Sequence, residues 1–271
     1  MGVGAQGRPL KPCNLFPGEG MVALGPELDQ GDERMRKLVV CGLMAFAGAA
    51  SAAVALAASE ATTFSVKHSA RAEGASTGIA FKIAFGDPDA PNGLPSGLKS
   101  FKIKLHKGSK IDARGATQCK VSNETLMSEG AAACPASSRI GTGTASATSA
   151  AGQTVKVDAA IFNERVGGGN AFLFVFLLND AYVTAFDATV KGGTISSEGL
   201  TGTIPGDLVV TKFNGTIGKH SKGRGNRRRD LITTPSVCPP GSKKWTNTAT
   251  FIFQNGNKDT GSRTSACKPG R

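Results

Sequence analysis

Apolar and polar residues alternate with a period of two over most of the chain beyond residue 60. Ile79, Phe81, Ile83 and Phe85 are interleaved with Ala80, Lys82 and Ala84, and Phe101, Ile103 and Leu105 with Lys102, Lys104 and His106. That spacing puts one side of each segment in a core and the other in solvent, which predicts half-buried β-strands. Similar patterns predict strands over 62–67, 140–147, 154–162, 182–191, 200–204, 208–217 and 248–254. The run Phe172-Leu173-Phe174-Val175-Phe176-Leu177-Leu178 is apolar on both faces, so its strand is expected to lie centrally with cover on each side. Asn179-Asp180 then predicts a tight turn and a hairpin. About ten short strands separated by Gly, Pro, Asn and Asp predict an all-β fold, an antiparallel β-sandwich. A single short helix is expected near residues 123–128.

The one strongly apolar run, residues 38–58, breaks this pattern and follows Met35-Arg36-Lys37 directly. A methionine, two positive charges, an apolar stretch and then small residues is the order of a secretory signal peptide, with candidate cleavage sites at Ala50-Ser51-Ala52 and Ala55-Leu56-Ala57. The organisation expected is a disordered or mis-assigned leader at 1–34, a signal peptide at 35–58 and one β-sandwich-like domain at 59–271, secreted or held at the cell surface. An uncleaved membrane anchor is the competing reading, because the run is 21 residues long. Two half-domains, joined near 150–153 or 205–207, are the alternative to a single domain.

Removing the leader sharpens the cysteine and charge content. Cys13 and Cys41 leave with it, and Cys119, Cys134, Cys238 and Cys267 remain. An even number in an exported chain suggests two disulfides. Of the three pairings, Cys119–Cys134 with Cys238–Cys267 is favoured because each closes a local loop. The chain has 271 residues and a formal charge of +12. The first 58 residues carry five basic and five acidic side chains, so the whole excess belongs to the domain that follows. It is concentrated in two clusters. Lys102, Lys104, Lys107 and Lys110 stand with Lys99, Arg114 and Lys120 in the first; Lys222, Arg224, Arg227, Arg228 and Arg229 form the second, in a glycine-containing loop. Such clusters attract an anionic cell-wall polymer or an acidic glycan, whereas the plainer role of the same lysines is to keep sheet edges soluble. Specific nucleic-acid binding is not expected, since no exposed aromatic residue is interleaved with the cations.

Motifs for catalysis are few. Gly2-Val3-Gly4-Ala5-Gln6-Gly7 matches the dinucleotide fingerprint but lacks a preceding strand. No cofactor is expected. Asp87, Asp89 and Asn92 resemble the start of a calcium loop, but the fifth position is Pro91 and the twelfth Leu98, so an ordinary turn is the stronger reading. His68, His106 and His220 are scattered and expected at the surface, and the phenylalanines are expected to be core. The remaining route to catalysis is a pair of carboxylates for a secreted hydrolase acting on glycans, drawn from Asp158, Glu164, Asp180 and Asp187.

Leu94-Pro95-Ser96-Gly97-Leu98, Ala116-Thr117-Gln118-Cys119 and Cys134-Pro135-Ala136-Ser137-Ser138-Arg139-Ile140-Gly141 together resemble a recurring element of exported proteins from high-GC Gram-positive bacteria. The tail from Pro235 through Cys238-Pro239, Trp245 and Cys267 resembles their closing strand. The resemblance implies an exported, disulfide-bonded β protein, supports the local pairing of cysteines, and carries over no catalytic residue. The function expected is a structural or binding module of the cell envelope, with the hydrolase as the alternative.

Overall fold

The computed structural model describes residues 60–166, 168–201, 203–204 and 207–269. The expected signal peptide, Cys13, Cys41 and the glycine motif at residues 2–7 lie outside the described residues. In chain order the strands are β1 (Ala61–His68), β2 (Ile79–Phe85), β3 (Leu98–Lys104), β4 (Lys110–Ile111), β5 (Arg139–Thr148), β6 (Thr154–Val166), β7 (Gly169–Leu178) and β8 (Ala181–Lys191). They continue with β9 (Thr194–Ser197), β10 (Thr203–Ile204), β11 (Leu208–Ile217), β12 (Ser221–Lys222), β13 (Arg229–Asp230), β14 (Ile232–Thr233), β15 (Lys244–Phe253) and β16 (Lys258–Ala266). One helix, α1 (Asn123–Glu129), lies between β4 and β5.

The expected antiparallel all-β fold is what forms. Eleven strands run in the order β1-β2-β11-β5-β6-β7-β8-β9-β3-β15-β16, and β10 pairs with β11 off this path. The sheet rolls until its two ends lie alongside each other. At that seam a β-carbon on Gly261 of β16 would sit 3.5 Å from the Phe64 ring of β1, His68 Nδ1 lies 3.2 Å from Ser265 Oγ, and Asn247 Nδ2 donates to the Val66 carbonyl at 3.5 Å. Two layers of sheet thus face one another across a common core, built by the inward residues of the period-two strands, among them Phe64, Ile79, Phe81, Ile161, Phe172, Phe251 and Phe253.

β7 occupies the central position that its sequence demands, between β6 and β8. Its inward Phe172, Phe174 and Phe176 join the main core. Its outward Leu173, Val175 and Leu177 are covered by a second cluster that includes Leu126 of α1, Phe162 and the Cys119–Cys134 pair. The β7–β8 hairpin turns on Asn179 and Asp180, whose φ values of 51° and 65° are those of a type I′ turn, a conformation that Asn and Asp tolerate well. The helix forms inside the first cysteine loop, as expected, and Ser122 caps it by accepting from the Thr125 N–H at 3.3 Å.

The second disulfide, Cys238–Cys267, packs against the fully buried Trp245. The Trp245 indole N–H donates to the Val237 carbonyl at 3.1 Å. Both pairings are the local ones, and such bridges suit an oxidising compartment. Among the described residues no helix is long and apolar enough to cross a membrane.

Candidate functional site: a basic end, an outer groove and buried titratable groups

The two basic clusters are more than a hundred residues apart in sequence, and short pairings bring parts of them together. β4, carrying Lys110, pairs with β14, so that Lys110 lies opposite Thr233. β12, carrying Lys222, pairs with β13, so that Lys222 lies opposite Arg229. A 3-10 turn at Ala113–Gly115 joins the two pieces. The Asp112 N–H donates to the Leu231 carbonyl at 2.8 Å. A β-carbon on Gly115 would lie 2.2 Å from Leu231 N, so only glycine lets this turn sit directly on the 230–231 backbone. Lys107 and Lys110 lead into that junction along the chain, and the segment from β12 to β13 on its other side carries Lys222, Arg224, Arg227, Arg228 and Arg229; all are exposed. Lys102 and Lys104 stand apart, on the outward face of β3 opposite Thr250 and Thr248 of β15.

Two carboxylates organise this end. Asp112 caps the 3-10 turn and forms an ion pair with Arg114 at 2.9 Å, and the hydrogen bond from that guanidinium holds the Asp112 carboxyl below its ordinary range. Asp230 pairs with Arg228 at 3.1 Å; burial works against its charge, but hydrogen bonds from Ser221 and Arg228 outweigh it and hold the carboxyl low. Each of these carboxylates is matched to one arginine, so the positive charges at this end outnumber the negative ones.

The acids singled out from sequence divide into two places. Asp158 and Asp180 line an open groove of about 660 Å³ on the outer face of β2, β11, β5 and β6. Thr142, Thr144, Asn214 and Thr216 contribute to its polar lining, and Glu129, Arg139 and Lys82 supply further charge. Glu129 belongs to the disulfide loop, which periodicity alone does not connect to the sheet. Glu164 lies elsewhere, buried at 7% exposure beneath that loop, in a parallel bridge with Cys119. Asp187 reaches it across β7. Burial first, then the hydrogen bond and charge of Asp187, push the Glu164 carboxyl up to about 8.

The histidines correct one expectation. His106 and His220 are half-buried near the surface, but His68 is buried at the β1–β16 seam, edge-on to Trp245 with ring centroids 5.4 Å apart. The alternation of β1 points it inward, and the seam covers it. Burial first, and then the nearby His106, lower its pKa to about 4. The Asp87–Gly93 segment is a turn, with Asp87 accepting from the Asp89 N–H and Asn92 from the Leu94 N–H. Glu60, at the start of β1, is likewise absorbed by structure. It is fully buried and accepts from Ser96, Asn255 and Asn257, tying two loops together.

No protein family and no curated protein matches this chain.

Proposed function

We propose that the protein is an exported binding module of the cell envelope that holds an anionic polymer, a wall polymer or an acidic glycan, at its basic end. The observation that carries this reading is the junction of Lys107 and Lys110 with the 222–229 loop, where exposed cations outnumber the two carboxylates that pair with them. Like charges gathered at one end create a local positive potential that concentrates polyanions, and the attraction weakens as salt screens it. The +12 balance of the chain and its two disulfides agree with an exported basic protein. Co-sedimentation with purified cell wall across a salt series tests the reading. Binding at low salt that is lost progressively as salt rises is expected; no binding at low salt, or binding indifferent to salt, contradicts it.

A second reading is a secreted glycan hydrolase that uses the outer groove. The observation in its favour is that Asp158, Asp180 and Glu129, from β6, the β7–β8 turn and the disulfide loop, line the same polar cleft. Release of reducing ends from wall glycan, abolished by Asp158→Asn, would support it. Unchanged glycan after prolonged incubation would end it.

A further inference from the structure

The inside of the rolled sheet is not filled. A cavity of about 400 Å³ lies between the layers, bounded by inward residues of β2, β3, β7, β8, β9 and β11 and by the 198–201 segment. Protein interiors are packed about as tightly as organic crystals, with few voids larger than a water molecule. An apolar hole of about 150 Å³ already admits benzene, so this one has room for two to three rings of that size. It also falls within the roughly 300–1,000 Å³ span of small-molecule sites.

Its walls are aromatic. Phe174 and Phe186 stack with centroids 5.0 Å apart, Phe101 meets Phe186 edge-on at 6.1 Å, and Phe213 touches Phe174 and Phe176 at 6.1 and 5.8 Å. These rings brace one another along the strands, which keeps the space from collapsing. Phe101, Phe186 and Phe213 are only partly buried although they sit on inward faces, so the cavity communicates with solvent. Among its described lining residues the polar side chains are those of Thr184, Ser197, Thr201 and Glu198, while Asp187 contributes backbone and turns its carboxyl to the outer face; no Lys, Arg or His is among them. In a chain of net charge +12, a lining with hydroxyls and the Glu198 carboxylate but no cation disfavours an anionic headgroup.

We propose that this cavity is a binding site for an uncharged, hydrocarbon-rich molecule, ring-containing or polyene, that carries no more than a hydroxyl or carbonyl group. The site is independent of the basic end and stands whether or not that end binds a polymer.

The probe is the neutral dye N-phenyl-1-naphthylamine, titrated into the full oxidised chain and followed by its fluorescence. A saturable rise with one dye per chain is expected, with dodecanol displacing the dye at least tenfold more effectively than dodecanoate. Val210→Trp, on the cavity wall, fills the space and weakens binding at least tenfold. Leu200→Trp, in the 198–201 segment, does the same should the first variant fail to fold. Glu198→Lys, which alters only an exposed side chain, narrows the preference for the alcohol over the carboxylate. Lys82→Ala, in the outer groove, leaves the dye affinity unchanged. Dye binding that does not saturate, that survives the folded tryptophan variants, that prefers dodecanoate, or that falls with Lys82→Ala overturns the proposal.

Discussion

The two disulfide-bonded caps are built alike and behave oppositely. Each covers an apolar patch outside the strict alternation of the strands. The Cys119–Cys134 loop lays Leu126 over Leu173, Val175 and Phe162, and the Cys238–Cys267 segment closes over Trp245. Each also has a buried titratable group beside it, Glu164 under the first and His68 against the second. Burial penalises the charged form in both, and the charged form of Glu164 is negative while that of His68 is positive. The same physical cause therefore raises one pKa and lowers the other. One cap is strengthened by acid and the other weakened by it.

The largest effects come from the cross-links and the side chains packed beneath them. In the chain-entropy model, replacing Cys238 and Cys267 by Ala costs about 3.5 kcal/mol, and replacing Cys119 and Cys134 about 3 kcal/mol, because the Cys119–Cys134 loop is the shorter. The separations are 29 and 15 residues. Urea denaturation of the two double variants measures both. A much larger loss for the first loop would mean that its helix cannot dock without the bridge, and would break the likeness between the caps. Truncating the packed side chains sharpens it from the other direction: Trp245→Ala should cost about 3–5 kcal/mol and Leu126→Ala about 2–5 kcal/mol.

The pH profiles come next. His68 is neutral in the fold, with its pKa lowered from 6.5 to about 4. The unfolded chain binds the proton first as acid is added, so the stability tied to neutral His68 is complete above pH 6.5 and falls by about 3 kcal/mol as the pH drops to about 4. Urea midpoints between these limits should track that slope, and His68→Gln should flatten it. Glu164 runs the other way. Its pKa rises from 4.5 to about 8, so the folded state holds the proton more tightly. Its contribution is complete below pH 4.5 and is lost as the pH climbs through about 8. Because Asp187 is exposed and solvent screens the pair, the expected effect is smaller: Glu164→Gln should raise stability at pH 9 by about 1 kcal/mol relative to the parent. A variant that loses stability at that pH would show that the carboxylate is favoured in place, contrary to the account of its burial.

The residues that made the fold legible are those whose role is local. Alternation in 79–85 and 208–217, the double apolar face of 172–178 and the Asn179-Asp180 turn all appear in the structure where the pattern puts them. β16 was not legible, since Lys258–Ala266 alternates small and polar residues and takes its place by pairing along β15 rather than by burying apolar side chains. The pairs β4–β14 and β12–β13 are two residues long, too short for any periodicity, yet they join the two basic clusters. Both clusters were visible as charge, and their junction was not. The phenylalanines were expected to be core, and Phe162 lies instead in the outer cluster while Phe101, Phe186 and Phe213 are only partly buried; alternation says which way a ring points and nothing about whether the opposite wall fills the space. That is why the cavity between Phe101, Phe186 and Phe213 emerges only once the sheet has rolled. His68 and Glu164 escaped for a related reason. Each is buried by a cap or seam contributed from a distant part of the chain, through Ser265 and Trp245 in one case and Cys119 in the other.

The basic end is the feature on which the functional account rests, and the test must separate a site from mere net charge. Two triple variants remove three positive charges each, Arg224→Ser with Arg227→Ser and Arg229→Ser at that end, and Lys156→Ser with Lys244→Ser and Lys258→Ser at exposed positions elsewhere. Co-sedimentation of both full-length, oxidised variants with purified cell wall at low salt, beside the parent, gives the answer directly. A loss of roughly tenfold in affinity for the arginine variant, with little change for the lysine variant, is the result expected of a localised polyanion site. Equal losses in the two variants, or none in either, would contradict it.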